Sequence, residues 1–119
     1  GGYSVDFDKD KVINAEMRKL KKLIKTVPAD KATIANSLVT ELAFMAGTLA
    51  ELRQHINDEG AIEHFKQGKQ EFFRESPALK SYNMTINRYG QIYKQLNDLM
   101  PKADPKAQES ELLDFLNEG

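Results

Sequence analysis

The feature of this sequence that most restricts its fold is a run of apolar residues recurring at alternating steps of four and three. Ile34, Leu38, Leu42, Met45, Leu49, Leu52 and Ile56 fall in line, the spacing that keeps one stripe on one face of an α-helix. Ala35, Val39, Ala43, Ala46 and Ala50 lie beside that stripe and widen the apolar face beyond a two-position seam. Small side chains there let a neighbouring helix approach closely, so this helix is expected to touch more than one partner. Running from about residue 30 to residue 58, it would be roughly 43 Å long. Gly60 stands where a left-handed residue would close it.

Two further stretches share the pattern. Ile13, Met17, Leu20, Ile24 and Val27 give a shorter first helix, with Asp8 placed as its N-cap and Pro28 at its end. Ser76-Pro77 is an N-cap followed by proline at the first helical position. It opens a third helix whose stripe is Leu79, Tyr82, Ile86, Tyr89, Tyr93, Leu96 and Met100, stopped by Pro101. Between the long helices, Ile62, Phe65, Phe72 and Phe73 surround Gln67-Gly68-Lys69. This connector reads as a small β-hairpin or as an irregular loop with its aromatics folded onto the helices. In a strand the adjacent Phe72 and Phe73 would face opposite ways, leaving one for an oligomer contact.

The expected fold is mostly α: a long antiparallel helical hairpin, a shorter N-terminal helix, a β-hairpin in the connector and a short C-terminal amphipathic helix. Residues 1–7 are expected to be a flexible N-terminus, 8–101 the helical core and oligomerisation domain, and 102–119 a proline-broken linker and acidic tail. Burial argues for oligomers, because the second helix has a wider apolar face than one partner helix and a short first helix would cover. Val39, Ala43, Ala46 and Ala50 are the expected contact.

The chemical inventory points away from an enzyme. There is no cysteine, hence no disulfide, thiolate nucleophile or cysteine zinc site. The two histidines, His55 and His64, lack metalloprotease spacing, none of the serines sits in a nucleophile motif, and the glycines form no phosphate loop. Glu59, Glu63 and His64 are near enough in sequence to suggest a metal cluster, though a chain with 29% charged residues brings such residues together by chance. No metal or cofactor is expected. The core spacing of Tyr82, Tyr89 and Tyr93 makes them packing residues rather than base-stacking ones. The first twelve residues lack the apolar centre of a signal peptide, and no uninterrupted run of 18 apolar residues suggests a membrane span.

The net charge of −1 hides an asymmetry. Residues 9–25 carry seven basic side chains against two acidic ones, leaving +5, while residues 103–119 carry one against five, leaving −4. Arg18, Lys19, Lys21, Lys22 and Lys25 thus present a basic helix face, either a phosphate-binding surface or a solvated one. In the acidic tail, Leu112, Leu113, Phe115 and Leu116 gather on one side of a segment too short to be a stable helix alone. They would dock into a groove of a partner or pack back on the same assembly.

The stretch Ser76-Pro77-Ala78-Leu79-Lys80-Ser81-Tyr82-Asn83, after a long helix ending Ile56-Asn57-Asp58-Glu59-Gly60, resembles the small terminase subunits of tailed phages, of the P27 type. The order of pieces over residues 14–101 is the more telling part. The family's tryptophan in the first helix is absent, and its Leu-Thr-Pro-x-x-Arg ending is Leu99-Met100-Pro101-Lys102-Ala103-Asp104 here. The resemblance implies a non-catalytic subunit of a genome-packaging motor, working in the cytoplasm of the bacterial host. Such subunits form homo-oligomeric rings, bind viral double-stranded DNA and pass it to a large ATPase/nuclease subunit. Carried over, helices two and three would build the ring, the lysine face would meet DNA, and the four apolar tail residues would dock the large subunit. The alternative is a helical adaptor or regulator that binds only protein.

Overall fold

The computed structural model of the protein describes residues 7–101, 109 and 113–117. Helix α1 (Lys9–Leu23) continues into a 3-10 turn at Ile24–Thr26. A second 3-10 turn at Ala29–Lys31 leads into α2 (Ala32–Glu59), followed by strands β1 (Ile62–Gln67) and β2 (Gln70–Glu75) and helix α3 (Pro77–Asp98). Residues 113–117 are helical again.

The caps follow from side-chain chemistry. The Asp8 carboxylate accepts from the Lys11 backbone N–H at 3.2 Å, satisfying one of the orphan donors of α1. Ser76 does the same for α3, accepting from the Ala78 N–H at 3.1 Å, with Pro77 in the first turn where no donor is needed. Gly60 ends α2 with φ of 89° and donates its N–H to the Ile56 carbonyl at 2.7 Å. Its ψ of 162° is extended, so the chain leaves α2 straight into a strand rather than through the expected left-handed turn.

The connector is a hairpin. β1 and β2 pair antiparallel from Ile62↔Glu75 to Gln67↔Gln70, leaving Gly68-Lys69 as a two-residue turn. Gly68 has φ of 62° at the first turn position, as a type II′ turn demands. The Ser76 N–H donates to the Ala61 carbonyl at 2.9 Å, tying the base of the hairpin to the start of α3.

α2 lies between the other two helices, and α1 and α3 run antiparallel along it. Lys9 at the start of α1 pairs with Glu51 at 3.4 Å, and Arg53 meets the Tyr82 hydroxyl at 3.4 Å near the start of α3. At the other end, Leu20, Ala35, Val39, Leu42, Met45 and Leu96 form the core, with Met17, Ile24, Val27, Tyr89, Ile92 and Met100 packed around it. The expected stripe on α2 is buried at Leu42, Met45 and Leu49 and half-buried at Leu38, Leu52 and Ile56, but departs at its first position. Ile34 is exposed, whereas Ala35, Val39 and Ala43 are fully buried. Residues without bulk let α1 and α3 close in on both flanks of α2, and the larger Ile34 is left outside. At Gly47 α1 approaches closely: a Cβ there would lie 2.6 Å from Cγ1 of Ile13.

By length and composition alone α2 is apolar enough to cross a membrane, although it holds no unbroken run of 18 apolar residues. Its buried positions are those covered by α1 and α3, as a core helix requires. The molecule is long, 68 × 37 × 27 Å, with a radius of gyration of 20.3 Å against about 13.5 Å for a compact chain of this length.

The two helical glycines outside the caps should respond oppositely to substitution. Nothing lies within 4 Å of a Cβ added at Gly90, so Gly90→Ala is expected to raise stability by roughly 0.5–1 kcal/mol. Gly47→Val should lower it by about 1–3 kcal/mol through overpacking against Ile13. Urea midpoints of the two variants check both signs.

Candidate nucleic-acid interface

The basic residues of α1 take their positions from its amphipathic period. Leu20 is buried against α2, and at 3.6 residues per turn Arg18 and Lys22 fall on the side away from it, with Lys19 and Lys21 on the flanks. Lys25 extends the same surface into the 3-10 turn. All five side chains are exposed. Among the described residues, Arg18, Lys21, Lys22 and Lys25 form no ion pair, while Lys19 pairs with Glu16 at 3.0 Å. These four basic side chains therefore face solvent with no acidic side chain of the described residues within ion-pair distance. Lys19 and Lys22 also rim a groove of about 460 Å³ whose floor is Leu20, Leu23 and Tyr93.

Glu16 anchors this surface to the far helix. Its carboxylate accepts the Tyr89 hydroxyl at 2.6 Å, joining α1 to α3 across residues 73 apart in sequence. Burial, then the hydrogen bond to Glu16, holds the Tyr89 hydroxyl well above its ordinary pKa of 10.0. Tyr89 stacks on Tyr93 with ring centroids 6.1 Å apart. Tyr82 and Tyr89 are half-buried and Tyr93 is more exposed, so the three tyrosines serve the helix packing with their hydroxyls at its rim.

The residues expected to build an oligomer contact are divided. Val39 and Ala43 are covered completely by the chain's own helices and have no surface left to offer a neighbour. The reason is that α1 and α3 both pack on α2 and between them cover its small-residue flank. Ala46 and Ala50 are half-buried. The apolar surface that does reach solvent lies alongside: Phe44 is 57% and Met84 66% exposed, and with Thr48, Thr85 and Arg88 they line a groove of about 360 Å³ between α2 and α3. The Lys9 ammonium stands 5.4 Å from the centroid of the Phe44 ring. Sequence periodicity gave no weight to Phe44 or Met84 because both fall off the stripes. An apolar residue off the stripe of a strongly patterned helix is itself the signal that was available.

In the tail, Leu113, Phe115 and Leu116 are exposed. Leu112, most of the linker and residues 1–6 lie outside the described residues. The suggested metal cluster does not converge. Glu63 and His64 are neighbours in β1 and point to opposite faces, Glu63 to Arg74 at 3.1 Å and His64 to Glu71 at 3.6 Å. Among the described residues no three metal-binding side chains come together.

Comparison with protein-family models, with curated proteins and with solved structures gives no match to this chain.

Removing the Tyr89 hydroxyl tests the link between α1 and α3. Tyr89→Phe is expected to cost about 1.5–3 kcal/mol at neutral pH, the range for a hydrogen bond to a charged group. Above about pH 10 the unfolded tyrosine ionises while Tyr89 in the fold stays protonated, so the wild-type advantage shrinks as pH rises. Chemical denaturation of both proteins at pH 7 and pH 10.5 measures the two effects.

Proposed function

We propose that this chain is the small subunit of a phage DNA-packaging terminase. It assembles as a homo-oligomeric ring, holds viral double-stranded DNA on the basic face of α1 and recruits the large ATPase/nuclease subunit in the cytoplasm of the bacterial host. The observation that carries the reading is the outward row of Arg18, Lys21, Lys22 and Lys25, whose charges no acidic side chain among the described residues neutralises within ion-pair distance. Neutralising DNA phosphates releases counterions, and that is the main source of affinity for a surface with no base-reading geometry. A single subunit of net charge −1 would bind weakly. A ring repeats the +5 segment around its circumference, and effective concentration turns a weak contact into a useful one.

Assembly is supported by surface area. The chain exposes 9352 Å², where a compact monomer of 13.5 kDa would expose about 6,500 Å². Phe44, Met84, Ile62 and Phe73, each more than half exposed, contribute apolar surface to that excess. The ring contact on the helices accordingly uses Ala46, Ala50, Phe44 and Met84. Leu113, Phe115 and Leu116, with Leu112 beside them in sequence, form the apolar side of the acidic segment that docks the large subunit.

Binding to a labelled duplex across a salt series tests the DNA face. The account expects affinity to fall steeply with salt, by about 0.9 logarithmic units per logarithmic unit of salt for each phosphate neutralised. Lys21→Glu with Lys22→Glu should reduce that slope by about 1.8 and weaken binding at low salt at least tenfold. Unchanged binding by the double variant removes α1 as the DNA face, and no binding by the wild type at low salt favours the protein-only adaptor.

The tail makes a separate prediction. Deleting residues 107–119 should leave the oligomer mass and melting temperature intact while abolishing co-purification with the large subunit. A loss of several degrees, or dissociation into monomers, would make the tail part of the core instead.

A further inference from the structure

The groove of about 460 Å³ beside the basic face of α1 has cationic walls, Lys19 and Lys22, and a floor of Leu20, Leu23 and Tyr93. Leu20 is buried, but Leu23 is 37% and Tyr93 38% exposed, so the floor offers apolar surface to solvent. Lys22 forms no ion pair among the described residues, and Lys19 pairs with Glu16 on its own helix. A segment that is apolar on one side and negatively charged fits such a groove on both counts.

The chain carries such a segment itself. Leu113, Phe115 and Leu116 are exposed on the helical stretch 113–117, and residues 103–119 have a net charge of −4 against +5 for residues 9–25. We infer that this tail folds back into the groove of its own subunit and covers Lys19 and Lys22. In the structure the three apolar side chains stand in solvent, so the docked tail is the second of two states. The contact itself needs no DNA; its consequence rests on the DNA-binding reading above. Tail and DNA compete for the same lysines, and a large subunit that takes the tail would uncover them.

The path of the chain favours the subunit's own tail. α3 passes the groove at Tyr93 and ends at Asp98, about 8 Å further along its axis. Leu99 and Met100 then pack on the same core cluster as Leu20, so the chain leaves the helices beside the groove. From Pro101 to Leu113 the twelve residues reach about 40 Å when extended and about 20 Å on average as a flexible chain. Either span exceeds the distance to be covered. A tether of this length holds the tail at millimolar effective concentration, enough to occupy a contact too weak to form between separate molecules. At a few times its dissociation constant the tail adds little to the melting temperature, but it lowers the apparent DNA affinity by the same few-fold factor.

Zero-length carbodiimide coupling of lysines to carboxylates in the native full-length chain, read by peptide mass spectrometry, tests the contact without DNA. Lys19–Glu16 and Lys9–Glu51, paired at 3.0 and 3.4 Å, are internal controls. Lys19 or Lys22 should couple to Glu109, Glu111 or Asp114 in material that runs at monomer mass on a denaturing gel. Leu113→Ser with Phe115→Ser, which keeps every charge, should remove those couplings and keep the controls. The same variant should bind duplex DNA at low salt at least threefold more tightly than the wild type. Control couplings without tail couplings overturn the inference, as do tail couplings confined to the dimer band or unchanged in the variant. Equal DNA affinity of the two proteins overturns the competition. If the couplings behave as expected and neither protein binds DNA, the tail contact stands and the DNA reading fails.

Discussion

The seam along α2 formed by Ala35, Val39 and Leu42, closed on one side by Leu20 and on the other by Leu96, is the contact on which the rest of the structure depends. All five side chains are essentially excluded from solvent. α1 is amphipathic and short, and α3 has few buried residues of its own. Both are helices because α2 offers them an apolar flank. Ala35 and Ala43, both fully buried, and Gly47 set how near the flanking helices come. Once those distances are fixed, Tyr89 of α3 is within hydrogen-bonding reach of Glu16 of α1, and Arg18, Lys21 and Lys22 of α1 are turned outward.

Position along the seam explains the division of labour. Core residues crowd the end where α1 stops, α2 starts and α3 finishes. The opposite end of the α2–α3 pair is a two-helix arm with a hairpin at its tip, and there the apolar residues Ile62 and Phe73 stay in water. A chain with this distribution has its buried core at one end and exposed apolar residues at the other. Its basic face lies on the base, so the proposed DNA contact and the exposed hairpin occupy different parts of the molecule. Substitutions in one are expected to leave the other unperturbed.

Much of the fold was legible in the sequence because it is governed by local chemistry. Asp8, Pro28, Ser76-Pro77 and Gly68 act through their own backbone geometry or through donors two or three residues away, and each marks its boundary. The connector's strand pattern and the opposed directions of Phe72 and Phe73 follow from a two-residue period in the same way. The part that was not legible depends on neighbours distant in sequence. Period alone could not decide whether Ile34 or Ala35 faces inward, because the choice turns on how closely two other helices pack. The two flanking helices cover a face wide enough to take in Val39 and Ala43 as well as Leu42, Met45 and Leu49, and so moved Val39 and Ala43 from an expected subunit contact into the core. The Tyr89–Glu16 bond spans two helices that are not neighbours in the chain, and no motif announces it. The basic face was visible as composition, but which of its side chains find an acidic partner among the described residues required the fold.

The central proposal is that this elongated chain assembles, and that assembly would make a basic surface into a DNA-binding one. Mass by sedimentation velocity at tens of micromolar, with electron micrographs of the same sample, tests it most directly. The account predicts a single species several times 13.5 kDa that appears as closed rings. A monodisperse 13.5 kDa monomer would contradict it.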